Sequence, residues 1–369
     1  MATTTTESIN TSAVIPSTMQ AAVYRGVNDV RVETVPVPAI GAGEVLLRVH
    51  SCGICGTDLK KIHTGSHSAP RIFGHETAGT VVAIGPGAAG FAVGDRAMVF
   101  HHIPCGACYY CRKKTFAQCE VYKRVGVTAG FEPAGGGFAQ YVRVMDWIVR
   151  RGLVKIPDGV PFEQAAFVEP VNTCLKAVKN LNLAADETVL VIGQGPIGIL
   201  LASLALRSGA RVLTSDLYAE RHAIAAGFGL KEPIDASQQD VVATAKAASE
   251  GRGADAVILA VGGNALIRTA MDAARPGGRV LLFAQTQHGE AAFDPAAVCM
   301  DEKSLVGSYS ASEEIQDEGA GLVFDGFRSG FDLTRLVSHR FPIEQAVEAI
   351  QVASNPSAKS MKIMIEPDN

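Results

Sequence analysis

Val189-Leu190-Val191-Ile192 runs directly into Gly193-Gln194-Gly195-Pro196-Ile197-Gly198, and a helically spaced segment follows to about Ser208. An apolar strand, a glycine-rich turn and a helix in immediate succession leave few architectures open. A strand that feeds a helix in this way belongs to a set lying parallel in one sheet. The flanking pattern agrees. Helical spacing covers Glu163 to Asn180, strands read at Thr188 to Ile192 and Arg211 to Ser215, a helix covers Ala219 to Ala226, and Ala256 to Ala260 and Arg279 to Phe283 read as further strands. This alternation predicts an α/β chain with a doubly wound parallel sheet. The preceding third reads differently. Strands at Gln20 to Tyr24, Val45 to Val49, Gly79 to Ile84 and Arg96 to Phe100, punctuated by Gly85, Gly87, Gly90 and Gly94, predict an all-β body. Ile343 to Val352 predicts a helix, and Met361 to Ile365 a strand that rejoins the first body. Met1 to Ser17, rich in Thr and Ser, predicts a disordered tail ending near Met19.

A lone G-x-G-x-x-G is weak evidence, but here it has a strand before it and a helix after it. Gly193 permits the tight turn, Gly195 lets a pyrophosphate approach the backbone, and Gly198 lets the helix pack on the strand. Pro196 and Ile197 open that helix, whose N-terminus favours phosphate. Asp216 closes the next strand, 21 residues after Gly195. A carboxylate there accepts the ribose hydroxyls of NAD and repels the 2′-phosphate of NADP. Arg221 stands nearby and keeps NADP as the lesser option. The bland reading is a tight β–α turn with a surface aspartate.

Half of the eight cysteines fall in one run, Cys105, Cys108, Cys111 and Cys119, spaced C-x2-C-x2-C-x7-C. Four thiolates this close suit a tetrahedral, closed structural zinc site. The competing iron–sulfur run places its fourth cysteine three residues on, before proline; here the gap is seven and Glu120 follows. A second constellation is Cys55-Gly56-Thr57-Asp58, Gly74-His75-Glu76 and Glu169-Pro170. One thiolate, one imidazole and a carboxylate form a reasonable shell for a zinc that keeps one position open. An open zinc polarises an alcohol oxygen, while a nicotinamide takes the hydrogen.

On these motifs the chain resembles the zinc-dependent medium-chain alcohol, polyol and threonine dehydrogenases from Met19 to its C-terminus. Gly74-His75-Glu76-Thr77-Ala78-Gly79 with Gly85 and Ala88 fits that family's G-H-E-x2-G-x5-G-x2-small signature. The resemblance implies a GroES-like, β-rich catalytic domain over 19–166 after a tail of 1–18, a Rossmann domain over 167–305, and a return to the catalytic domain over 306–369. It implies two zinc ions per chain, one catalytic and one structural, and an NAD-dependent hydride transfer between a polar secondary alcohol and its carbonyl. Cys55 and His75 would ligate the catalytic zinc. Glu169, where simple alcohol dehydrogenases carry a second cysteine, would bind it directly or through water, and Glu76 would swing in during turnover. Asp58 would fix the tautomer of His75, and Thr57 would take the substrate proton. Many relatives pass that proton to a histidine five residues after the cysteine ligand. Lys60 occupies this place, with His63 as a candidate substitute on what reads as a loop. A homodimer or homotetramer is expected.

Cys52 and Cys174 are expected to pack as small hydrophobes. Cys299 and the histidines 101, 102, 222, 288 and 339 are expected to be structural or exposed. Pocket walls are sought near Thr57, Phe73, Phe100 and Tyr309. A formal charge of -4 gives no reason to expect a nucleic-acid or membrane partner, and no apolar run reaches the roughly 18 residues of a membrane span. Without a secretory signal, and with cysteines at metal spacing, the expected compartment is the cytoplasm. Two rival readings remain: a zinc-free reductase of activated double bonds, which would lack both metal constellations, and a non-catalytic NAD-binding protein.

Overall fold

The computed structural model describes residues 10–11, 14–100, 103–121, 135–284 and 288–367. His101, His102 and most of the N-terminal tail lie outside them. The chain divides into two compact units, 1–169 with 312–369, and 170–311. The helix Val168–Leu181 spans the first break, so Glu169 is the last residue of one unit and Pro170 the first of the other.

In the first unit the described residues form an eight-stranded and a three-stranded sheet. The larger runs in the order Val337–Phe341, Lys362–Ile365, Val45–Gly53, Glu76–Ile84, Arg96–Phe100, Leu153–Lys155, with Tyr141–Val144 also paired to Val45–Gly53. Its central strand, Val45–Gly53, is buried at Val45, Leu46, Leu47, Val49, Ser51, Cys52 and Gly53, which suits its β-branched and leucine-rich sequence. The strand Lys362–Ile365 returns to it antiparallel, Met364 opposite Gly53. Gln164 secures the return segment: its buried amide donates to the carbonyls of Val323 and Phe331, and its oxygen accepts from the N–H of Leu333 at 2.7 Å.

Two expectations change here. Asn10–Thr11, within the segment expected to be a disordered tail, pairs antiparallel with Glu76–Ile84, and a strand begins at Thr18. The residues after Cys55 are not a loop but the helix Gly56–Thr64. Its start is a capping box: the Cys55 sulfur accepts the N–H of Thr57, and the Asp58 carboxylate accepts the N–H of Cys55. The sequence hides this because cysteine is not among the usual N-cap residues.

The second unit is a six-stranded parallel sheet ordered Glu232–Asp235, Arg211–Asp216, Thr188–Ile192, Ala254–Leu259, Ala274–Leu282, Ser304–Gly307. Numbered along this unit, the order is 3-2-1-4-5-6, that of the dinucleotide-binding sheet, with its switch between the first and fourth strands. Thr188–Ile192 is buried throughout, as expected for a central parallel strand covered on both faces.

Candidate metal centres and cofactor turn

The sulfurs of Cys105, Cys108, Cys111 and Cys119 lie within 4.8 Å of one another. A short helix, Tyr109–Arg112, carries Cys111 inward beside Cys119, which is fully buried. Backbone N–H groups of Ala107 and Cys108 pull the Cys105 thiol down to about 6, the latter donating at 3.4 Å. Burial and the neighbouring thiols push Cys111 up to about 12. Four thiolates cannot coexist here without a cation, and a closed sulfur cage of this kind fits zinc.

The second cluster is assembled from distant segments. Ligand atoms of Cys55, His75 and Glu76 lie within 4.8 Å of one another, with His75 and Glu76 buried. Cys55 caps the helix Gly56–Thr64, and Glu76 opens a strand in register between Gly53 and Phe100. Asp58, fully buried, ties two of the donors together. One oxygen pairs with His75 Nδ1 at 3.0 Å and the other accepts the N–H of Cys55 at 3.2 Å. Occupying Nδ1 leaves Nε2 as the atom for a metal, the arrangement that fixes a ligating imidazole. Burial disfavours both ions of this pair, yet attraction overcomes it. The Asp58 carboxyl is held below its usual range, and His75 is raised well above its own by Asp58 and Cys55. This donor set fits a zinc ion.

Sequence reasoning missed Lys362. It is buried, donates to Glu76 Oε1 at 2.6 Å and to the carbonyl of Ile54 at 3.2 Å, and also contacts Glu76 Oε2. Burial lowers its affinity for a proton, but the Glu76 and Cys55 charges more than restore it. The signal was present: a lysine in an otherwise apolar strand must find a buried partner.

Glu169 is buried and its charge is felt at Lys362, but it is not one of the three donors gathered within 4.8 Å. Thr57 sits half-buried in the first helical turn, directly after Cys55 and Gly56. The structure does not bring His63 to this group. It is exposed, with Nδ1 on Asn28 Oδ1 at 2.6 Å and Nε2 on Ser354 Oγ at 3.0 Å, near the far end of the helix. Phe73 and Phe100 are core residues rather than open walls, at 2% and 1% exposure, whereas Tyr309 is exposed. Cys52 and Cys174 are fully buried, and Cys299 is exposed.

At the glycine-rich turn, a Cβ on Gly198 would lie 1.8 Å from the carbonyl oxygen of Gly193, so the helix can approach only without one. A Cβ on Gly195 would meet no protein atom within 4 Å, which leaves the space a pyrophosphate needs. The helix Pro196–Arg207 has no side-chain N-cap, leaving its first N–H groups for an anion. Asp216 is fastened to this turn, accepting the N–H of Gln194 at 2.7 Å and that of Tyr218 at 3.1 Å. A carboxylate has about four acceptor sites, so capacity remains for ribose hydroxyls. Arg221 Nη1 lies 3.4 Å from Asp216, and its guanidinium sits over the Tyr218 ring. The residues present fit a dinucleotide.

Residues 41–158 match the family described as Alcohol dehydrogenase GroES-like domain, and residues 196–323 match Zinc-binding dehydrogenase. A sorbitol dehydrogenase of Bombyx mori is 30% identical over 95% of this chain and 99% of its own. The chain belongs to the zinc-type medium-chain dehydrogenase family. An L-threonine 3-dehydrogenase of Proteus mirabilis (strain HI4320) is 29% identical over 90% of this family member and 94% of its own length. A zinc-binding dehydrogenase of Sinorhizobium meliloti 1021, solved bound to NADP, superposes with a TM-score of 0.85 at 30% identity, covering 95% of this chain and 100% of that one. These likenesses bear out the GroES-like plus Rossmann fold. Among the described residues no helix is long and apolar enough to cross a membrane.

Proposed function

We propose that the chain oxidises a secondary alcohol on a polar substrate, such as a polyol, sugar alcohol or hydroxy-amino acid, with NAD, and reduces the carbonyl in the same site. The observation that carries this reading is the gathering of Cys55, His75 and Glu76 donors to within 4.8 Å, with Asp58 holding the imidazole. When bound, zinc would supply a Lewis acid for the hydroxyl oxygen and NAD an acceptor for hydride. Cys55 and His75 would hold the metal, with Glu169 joining directly or through a water. Thr57 would accept the hydroxyl proton. Gly193, Gly195, Pro196, Ile197 and Gly198 would cradle the pyrophosphate and Asp216 the ribose. Cys105, Cys108, Cys111 and Cys119 would hold a second, structural zinc.

The polar substrate class rests on the carboxylate at position 169 and on the sorbitol and threonine dehydrogenases among the relatives. Support for self-association comes from the edge strand Ser304–Gly307 with the exposed Leu305 and Met300 beside it. A monomer in sedimentation would refute the expected dimer or tetramer. A reducing compartment such as the cytoplasm suits eight free cysteines.

A second cofactor reading, NADP, is favoured by Arg221 standing against Asp216. The deciding experiment is reduced-cofactor formation by zinc-replete protein, with NAD and NADP side by side, on simple alcohols, polyols, sugars and hydroxy-amino acids. Turnover confined to one polar class with NAD is expected. Silence across the panel, with two zinc ions and NAD bound, would favour a non-catalytic protein.

A further inference from the structure

In a chain whose formal charge is -4, positive charge gathers on one flank of the His75 cluster. Lys61 and His67 both pack on Phe73, which stands two residues before His75, and Arg71 precedes Phe73 by two residues. The Lys61 ammonium lies 5.6 Å from the centre of the buried Phe73 ring, and the His67 ring meets that ring edge-on at 5.9 Å. All three polar side chains are half-buried. The charges of Lys61 and Arg71 are both felt at His67. Burial, reinforced by these two cations, pushes His67 down to about 4.

Like charges drawn together and partly withdrawn from water are costly without a counter-ion. None is supplied here by the described residues. Lys61 makes no hydrogen bond or ion pair among them. His67 has Nδ1 3.0 Å from Ser66 Oγ and no protein partner at Nε2. Arg71 donates to the carbonyl and the hydroxyl of Ser68, both neutral. The acids of the adjoining hairpin are committed elsewhere, Glu33 to Arg25 and Asp29 to Arg31, each by two hydrogen bonds. Asp58 feels the Lys61 charge, but it is fully buried and its oxygens serve His75 and the N–H of Cys55. Lys61 lies on the helix that Cys55 caps, about 9 Å further along at about 1.5 Å per residue. That interval suits a short carbon chain with its hydroxyl at the metal donors.

We propose that Lys61, His67 and Arg71 form the subsite for an oxyanion carried by the substrate, a carboxylate or a phosphate, so that the substrate is an anionic hydroxy compound. This deepens the dehydrogenase reading and rests on it. The ammonium and the guanidinium offer charge-assisted bonds, and a neutral imidazole still has one N–H to donate. The anion supplies the counter-charge that the protein omits.

The test compares matched pairs on zinc-replete, full-length protein with NAD: 3-hydroxybutyrate against 2-butanol, and sorbitol 6-phosphate against sorbitol. The anionic member of one pair is expected to lead in kcat/KM by about tenfold or more, the effect of one or two charge-assisted bonds. The leading pair tells carboxylate from phosphate. In Lys61→Met the anionic-to-neutral ratio should fall by about tenfold, through KM rather than kcat, and Lys61→Arg should restore it. Equal or better turnover of the neutral members overturns the subsite and leaves the dehydrogenase reading standing. So does an unchanged ratio in Lys61→Met. Should Lys61→Met not fold, the wild-type pairs alone decide. If neither pair turns over, the dehydrogenase reading fails on these substrates, and binding judges the subsite separately. Inorganic phosphate and acetate are then titrated into 15N-histidine-labelled protein saturated with NAD, following the signal that His67→Asn removes. A shift of that signal by either anion supports the subsite, and a signal that neither anion moves overturns it.

Discussion

The two donor clusters proposed to hold zinc solve opposite problems. The four-cysteine cluster draws every donor from one short segment, uses one kind of ligand, and is supported by backbone N–H groups of that segment. The cluster around His75 draws on a helix cap, a strand start and, through Lys362, a strand nearly three hundred residues further along. Each of its donors has a keeper: Asp58 for His75, Lys362 for Glu76, the helix N-terminus for Cys55. A site that only has to hold a metal can be built locally and filled completely. A site that has to bind and release a ligand needs its donors restrained from outside.

Substitutions break that contrast in a graded way. Cys55→Ala should lower turnover by about 10³-fold or more, with melting temperature and NAD binding nearly unchanged, because Lewis-acid assistance amounts to several kcal/mol. Retained activity in steady-state assays would remove Cys55 from the metal. Cys108→Ser should act on stability first, lowering the melting temperature by about 5 °C or more as a closed site opens. A loss of rate without a change in melting would reverse the assignment of the two clusters.

Asp58→Asn is intermediate, because it removes a keeper and leaves the donors. Metal affinity at the His75 site should fall by about 10–100-fold in competition with a chelator. Its pH dependence should move as well. In the metal-free protein Asp58 and Cys55 raise His75 above its usual value. Below that raised value a proton occupies the nitrogen a metal needs, and above it the nitrogen is free, so metal uptake weakens as pH falls. Removing the Asp58 charge lowers the His75 value, and the midpoint of uptake should shift to lower pH. An unmoved midpoint would mean that Asp58 does not govern His75. The smallest effect is expected in the second unit. Asp216→Ala should raise the preference for NADP over NAD by about tenfold in kcat/KM, through loss of the ribose acceptor next to Arg221. An unchanged ratio would leave Asp216 as a turn anchor only.

What could be read from the sequence follows the same division. The cysteine spacing and the strand–glycine–helix unit are local, so their chemistry shows in consecutive residues. Cys55, Asp58, His75 and Glu76 are legible through short motifs, and the structure gathers the donors and the orienting Asp58. The helix after Cys55 was not legible, because a sulfur does the work of the usual oxygen cap. His63 looked available in sequence, but whether both ring nitrogens were already engaged depends on Asn28 and Ser354, which no spacing rule connects to it. Lys362 was hidden for the same reason: its partner is remote, and only the pairing of Lys362–Ile365 with Val45–Gly53 brings the two charges together.

That pairing also orders events during synthesis. The strand Val45–Gly53 emerges from the ribosome early, yet one of its neighbours, Lys362–Ile365, is made only after the whole parallel sheet of the second unit. Domains emerging N-terminal first generally fold as units, but here the first-made body stays unfinished while the second can close upon itself. Until residue 365 is free, Glu76 lacks its cation and the side of Val45–Gly53 near Cys52 and Gly53 lacks its partner strand, the sort of unpaired edge that invites association with other nascent chains. The fold is therefore most exposed to misassembly at the moment when most of its sequence already exists.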